Sequence, residues 1–176
     1  MDYKLEKQVW TDADFEQMGW HDCNIYKIRL TQDLEMDIDY VLQWNKSDLE
    51  GLPFTFLVAP ATLVFRSVQN LTFDFDIGFE DAFEIEDIER TKSGNHYHWT
   101  IITRQGDIQF NSQGYEQHIR QQPFFEFVQN ISFIERYGYS LDRTTNQQNP
   151  NRNREDVVQQ REKDLEDYEN VKKAAS

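Results

Sequence analysis

The sequence predicts a mainly β fold, an antiparallel curved sheet or open sandwich of seven to nine strands with one or two helices. The first observation is a two-residue hydrophobic period, clearest in LEMDIDYVLQW at 34–44. The second is an aromatic content of 14%, which supplies large rings for a core. The third is a change of composition near residue 140, which divides the chain into an acidic β-rich domain (1–139), a polar linker predicted to be disordered (140–154) and a charged helical tail (155–176).

The elements follow in order along the chain. TDADFEQMG at 11–19 predicts a short helix or turn that Thr11 caps, with Asp14 three residues later. A strand is expected from Asn24, and TQD at 31–33 predicts a hairpin into the strand at 34–44. Pro60 interrupts FTFLVAPATLVFRSV, so two short strands or one bulged edge strand are expected there.

The second half of the acidic domain continues the alternation. LTFDFDIGF and AFEIEDIER predict further strands, and HYHWTIITRQGDIQF predicts a hairpin that turns at Gln105–Gly106. GYEQHIRQQP predicts a short strand that ends at Pro123. The apolar spacing of FFEFVQNISFIER at 124–136 favours a helix over a strand.

The negative charge is concentrated in the predicted β domain. Residues 1–139 carry a net charge of −13 and residues 140–176 a net charge of −1. This distribution argues against nucleic acid and anionic membranes as partners, and it favours a basic protein. The predicted partner-binding residues, on outward strand faces, are Asp37, Asp39, Asp74, Asp76, Glu84 and Glu86. A solvated face that only keeps the chain in solution, or a calcium site, are the alternatives.

Compartment and cofactor expectations come from what the sequence contains. Cys23 is the single cysteine, so no intrachain disulfide can form and a reducing compartment is expected. No secretory leader or membrane-length apolar run is present, and we expect a cytoplasmic protein. The sequence has no glycine-rich phosphate loop, no G-x-S-x-G and no H-E-x-x-H, so no cofactor is predicted and an enzyme is the less favoured class.

The stretch GWHDCNIY at 19–26 places Trp20, His21, Asp22 and Cys23 side by side. His21 could act as a general base with Asp22, and Cys23 as a nucleophile, if a partner histidine reached it. The favoured interpretation is structural: Trp20 packs on the sheet while His21 and Asp22 make hydrogen bonds at the entry to a strand.

The histidines suggest an alternative function. His96 and His98 share one strand face and could bind a metal with His118 and an acid, as in a metal-dependent hydrolase. Ile102 stands where a cupin-type site would carry its glutamate, so the cupin pattern is not met. A structural, oligomerising domain is a further alternative.

The order of these features resembles a loose group of small bacterial β-rich domains that open with an F/W-H-D segment. The residues that carry the resemblance are Trp20, His21, Asp22, Ile25, Ile28, Leu34, Ile38 and APATLVF at 59–65, within 15–135. Some members are classed as immunity proteins of polymorphic toxin systems. The resemblance implies a bacterial origin, no catalysis and a protein target such as a toxin domain.

Overall fold

The computed structural model describes residues 5–47, 53–76, 83–151 and 155–175, and it confirms the mainly β prediction. Ten strands and one α-helix are present in these residues, one strand more than the upper bound expected. They are β1 (Val9–Thr11), β2 (Cys23–Leu30), β3 (Leu34–Lys46), β4 (Phe54–Arg66), β5 (Gln69–Phe75), β6 (Glu84–Ser93), β7 (His96–Thr103), β8 (Gly106–Ser112), β9 (Gly114–Ile119), β10 (Phe124–Glu126) and α1 (Glu155–Ala175).

The strands form one antiparallel sheet in the order β1-β9-β4-β3-β2-β6-β7-β8-β5, and β10 pairs with the beginning of β4 beyond β9. The sheet turns a corner where β4 runs into β5 and β8 into β9, between the pairs Arg66–Gly114 and Gln69–Asn111. Strand β2 lies in both halves, because its end pairs with β3 and its start with β6. The sheet therefore curves into a first half (β1, β9, β4, β3, β2, β10) and a second half (β2, β6, β7, β8, β5).

Aromatic rings fill the space between the two halves. Phe65 on β4 contacts Trp99 on β7 and Phe110 on β8, with centroids 4.9 and 4.8 Å apart. Tyr115 and Trp20 extend this cluster with edge-on contacts, a geometry that the ring quadrupoles favour. The predicted aromatic core is thus the layer that joins the halves.

Gly114 lies at the corner in a conformation that suits glycine. Its φ is +150°, and a Cβ atom there would lie 2.1 Å from an Asp12 carboxylate oxygen. The same carboxylate accepts a hydrogen bond from the backbone N–H of Tyr115 at 3.2 Å. Close approach of Asp12 to the backbone therefore requires a residue without a side chain at this point.

The N-terminal expectations are confirmed. A 3-10 helix covers Asp12–Gln17, and the Asp14 carboxylate accepts a hydrogen bond from the backbone N–H of Thr11 at 2.9 Å. β2 and β3 form the hairpin expected around 31–33, with Leu30 opposite Leu34. The hairpin of β7 and β8 turns at 104–105, within one residue of the predicted position.

The expectation for Pro60 is wrong, because β4 is a single long strand inside the sheet. Pro60 is buried and pairs with Asp39 of β3. On the other side of β4 it lies between the β10 ladder, which ends at Val58, and the β9 ladder, which begins at Ala61. The missing N–H of proline is tolerated where one ladder gives way to the next.

Two expectations near the C-terminus are also wrong. Residues 124–136 form β10 and irregular turns instead of a helix. Residues 140–151 of the predicted disordered linker are ordered: Leu141 is buried, and the backbone N–H of Gln147 donates to the Arg120 carbonyl at 2.7 Å. Residues 152–154 lie outside the described residues, and α1 occupies the predicted helical tail.

Candidate partner-binding surface

Asp37 does not lie on a solvated face as predicted, and that expectation is wrong. Its side chain is fully buried and accepts hydrogen bonds from Arg120 at 2.6 Å and from Arg136 at 2.8 and 3.2 Å. The backbone N–H of Ser140 donates a further bond at 2.8 Å. A buried carboxylate needs such partners, since it has lost its hydration. Asp37 is therefore a structural anchor, unavailable to an external protein.

Asp39 is buried in the same way, so its predicted exposure is also wrong. Its carboxylate lies 3.2 Å from the Arg136 guanidinium and accepts hydrogen bonds from Tyr26 Oη and the Ile131 backbone N–H, both at 2.8 Å. Burial raises the pKa of this carboxyl, and the nearby Arg136 opposes that rise. Asp37 and Asp39 of β3 thus form a buried charge cluster with Arg120 and Arg136, which come from later in the chain.

The segment that covers these acids is residues 127–143, which we call the strap. It crosses the outer face of the first half and binds β2, β3 and β4 mainly through polar contacts. Thr62 on β4 donates to the Asp142 carbonyl at 2.6 Å, and Gln129 donates to Asp22 at 2.5 Å. The outer face of β3 is polar in sequence because the strap supplies arginine and backbone partners to it.

Glu35, two residues before Asp37, is paired at the far end of the strap. It is buried and contacts Arg29 and Arg143, the latter at 2.5 Å. Burial acts to raise the pKa of Glu35, but the hydrogen bonds from the two arginines outweigh burial and hold the pKa below its usual 4.5.

We expect Glu35 to make the stability depend on pH. Because its folded pKa is lowered, its contribution is present above about pH 4.5 and is lost as the pH falls through the folded pKa. Arg143→Gln should lower the free energy of unfolding at pH 7, and the difference from the parent should shrink at lower pH. Urea unfolding from pH 7 to pH 3 measures this. Arg143 also lies 3.3 Å from Asp33, so part of the difference remains in a Glu35→Gln background. A pH-independent difference, or one that is equally large in that background, would contradict the assignment.

The second half of the sheet carries a different acidic surface. In register, Asp87 of β6, Ile102 of β7, Asp107 of β8 and Asp74 of β5 form one row across four strands. Glu89 lies on the same side in the next row. We call Asp74, Asp87, Glu89 and Asp107 the acidic face. Within the described residues, no lysine or arginine occupies the three paired rows on this side, so its carboxylates lack the counterions that β3 has.

The remaining predicted partner-binding acids lie near this face. Asp74, Asp76 and Glu86 are exposed, as expected for a surface. Glu84 is half-buried, pairs with Arg104 at 2.8 Å, and has a pKa raised by its burial. The structure therefore places Asp74, Asp76, Glu84 and Glu86 on the second half of the sheet, whereas Asp37 and Asp39 lie on the first half.

The GWHDCNIY stretch is the entry to β2. Trp20 is buried and its indole N–H donates to Gln117 at 2.7 Å. Asp22 has a φ of +64° and lies 2.8 Å from the exposed His21 ring, while its backbone N–H donates to Ile85. Burial raises the pKa of the Cys23 thiol to about 12, which keeps it protonated and argues against a nucleophile.

The three histidines of the metal alternative do not form a site with an acid. His98 on β7 hydrogen-bonds Asn111 at 3.0 Å. His118 lies on β9, where it is 3.3 Å from Glu116 of the same strand. In the parts of the chain that the structure describes, no group of three or more His, Cys, Asp or Glu side chains is placed to hold a metal ion. The hydrolase alternative therefore gains no support from the geometry.

A cavity of about 230 Å³ opens beside the GWHDCNIY stretch. Its lining residues are Gln17, Gly19, His21, Tyr40, Val41, Leu42 and Trp44. This volume is below the roughly 300 Å³ at which small-molecule sites usually begin.

Among the described helices, none has the length and apolar content needed to cross a bilayer.

The sequence analysis missed Arg120 and Arg136, which are the partners of the β3 acids. The available signal was the pattern of β3 itself, where acids alternate with apolar residues along a strand long enough to be central.

Comparison with known proteins adds no identification: no protein-family model, curated protein or solved structure matches the chain.

Proposed function

We propose that the chain is a non-enzymatic binding domain that takes a basic protein partner on the acidic face. The observation that carries the proposal is the contrast between the two halves. The β3 acids each have an arginine, whereas Asp74 and Asp107 lie directly opposite one another without a cation in their row. Like charges at opposite positions cost stability, and such a cost is tolerated when a cationic partner benefits from it.

A toxin domain is the kind of basic partner that the resemblance to immunity-type domains suggests. An acidic surface suits that role, because complementary charge speeds encounter with a basic protein and disfavours partners of the same sign. Neutralisation of such a toxin is the finer form of the proposal, and it requires the partner to be identified.

The proposal predicts salt-sensitive retention of a basic protein. The tagged parent is incubated at low salt with a lysate of its source cells, and the bound proteins are identified by mass spectrometry. A face variant carries Asp74→Asn, Asp87→Asn, Glu89→Gln and Asp107→Asn, and we expect it to lose the retained protein. With the purified pair, affinity should weaken by about tenfold or more as salt rises from tens to hundreds of millimolar, because exposed charges are screened.

A matched variant controls for net charge alone. Glu162→Gln, Asp164→Asn, Glu166→Gln and Asp167→Asn neutralise four exposed acids of α1 and change the net charge by the same amount. This variant should retain the partner. Equal loss in both variants, or retention that does not respond to salt, would overturn the acidic face as the binding surface.

A further inference from the structure

In its middle the strap buries two charged side chains, Glu135 and Arg136, while the aromatic side chains around them are exposed. Arg136 is 1% exposed, whereas Phe133, Tyr137 and Tyr139 are 57%, 54% and 50% exposed. Ile134 is 46% exposed. Burying a charge and exposing large rings both oppose folding energetics, so this arrangement calls for a reason outside the isolated domain.

The exposed apolar side chains are close together in the chain, between residues 133 and 139 of the strap. Phe133 and Tyr139 are in edge contact, with ring centroids 4.9 Å apart. Ile134 and Tyr137 belong to one turn, in which the Tyr137 N–H donates to the Ile134 carbonyl. We call these four residues, all within 133–139, the ridge. A group of exposed apolar side chains that is rich in tyrosine and phenylalanine has the composition of the centre of a protein interface.

The ridge is held in place from beneath by the buried charge cluster. Arg136 lies 3.9 Å from the centre of the Tyr26 ring, and Tyr26 stacks on Tyr139 with centroids 5.2 Å apart. Arg136 is in turn fixed by Asp37 and Asp39. The ridge is thus presented on a rigid base, which lowers the conformational entropy that binding must cost.

The ridge lies beside the acids of β6. Tyr26 is on β2, which pairs with β6 through Asn24 and Glu84. Gln129 of the strap donates to Asp22, and Asp22 is a neighbour of Glu84. Glu86 and Asp87 follow on the same strand. An apolar centre flanked by an acidic rim fits a partner that presents apolar side chains within a cationic surround.

We propose that the ridge is the apolar centre of the interface for the basic partner, with the β6 acids as its rim. This inference rests on the proposed function and names the residues that would supply most of the affinity. A second copy of this chain is a poor occupant, because residues 1–139 of each copy carry a net charge of −13 and two such domains repel one another.

The test uses three labelled synthetic peptides and fluorescence anisotropy at low salt. One is a Leu/Lys amphipathic helix, the second has serine in place of leucine, and the third has glutamate in place of lysine. We expect the parent to bind the Leu/Lys peptide about tenfold or more tightly than the Ser/Lys peptide, and not to bind the Leu/Glu peptide. A ridge variant with Phe133→Ser, Ile134→Ser and Tyr137→Ser should bind the Leu/Lys and Ser/Lys peptides equally.

Two controls separate the ridge from general effects. Val9→Ser with Leu30→Ser removes apolar side chains of similar exposure (39% and 54%) outside the strap, and it should leave binding unchanged. If the ridge variant melts at a lower temperature than the parent, Ile134→Ser alone is used, since its side chain makes no part of the ring stack.

The outcomes distinguish this inference from the proposed function. A ridge variant that binds the Leu/Lys peptide like the parent, while the face variant loses it, overturns the ridge and keeps the acidic face. A face variant that binds both cationic peptides like the parent overturns the proposed function itself. A parent that sediments as a dimer, with a monomeric ridge variant, shows that a second copy covers the ridge and overturns the inference.

Discussion

Asp37→Ala should lower the free energy of unfolding by about 3–5 kcal/mol, because it leaves two buried arginines without their shared counterion. Arg120 and Arg136 are 1% exposed each, and both donate to this carboxylate. Arg120 also donates to the Ser140 carbonyl of the strap at 2.6 Å. The loss therefore has two parts: the shared carboxylate is removed, which leaves Arg136 with Asp39 alone, and the hydrogen bond from the Ser140 backbone N–H is lost.

Urea unfolding followed by tryptophan fluorescence measures this loss. Asp74→Ala is the matched control, because Asp74 is an exposed aspartate on a strand and its removal should change stability by no more than about 0.5 kcal/mol. A loss below about 1 kcal/mol for Asp37→Ala would contradict the buried cluster as an anchor of the strap.

Trp99→Ala should lower the free energy of unfolding by about 3–5 kcal/mol, as expected when the largest ring of a packed core is removed. Trp99 is fully buried. Its ring contacts Phe15 of the 3-10 helix, Phe65 of the first half of the sheet and Phe110 of the second half. The remaining cavity would lie at the layer that joins the halves, where the sheet curvature limits collapse.

Two further variants test the cause of this effect. The buried indole N–H of Trp99 makes no hydrogen bond, so Trp99→Phe removes an unpaired donor with part of the ring and should cost less than half as much as Trp99→Ala. Trp44→Ala, at a tryptophan that is 41% exposed, should also cost less than half. Equal losses for Trp44→Ala and Trp99→Ala would show that the core is not centred on Trp99.

The strands and the core could be predicted because their signals are local. Alternation along 34–44 and the rings at 97–101 depend on neighbours two residues away, and a pleated strand presents them on one face whatever the rest of the chain does. The same alternation correctly assigned Asp37 and Asp39 to the face opposite the core. It could not reveal that another segment covers that face.

The misassigned segments share a cause, which is that distant contacts decide them. Phe124 and Phe127 have helical spacing, yet residues 124–126 pair with β4 as β10. The chain then passes over β3, where the Ile131 backbone N–H donates to Asp39. The polar run at 140–151 buries Leu141 and is otherwise held largely by hydrogen bonds, such as the one from Asn149 to the Glu135 carbonyl. Composition alone does not distinguish such a segment from a disordered one.

The buried charge cluster also constrains the order of events during synthesis. Asp37 meets Arg120 across 83 residues and Arg136 across 99, so β3 emerges from the ribosome long before its counterions exist. Until then the acids on the outer face of β3 must stay hydrated. The strap can cover that face only after nearly the whole domain has been synthesised. Contacts of such long sequence separation slow folding, and a chain ended before residue 120 would contain β3 without either arginine of the cluster.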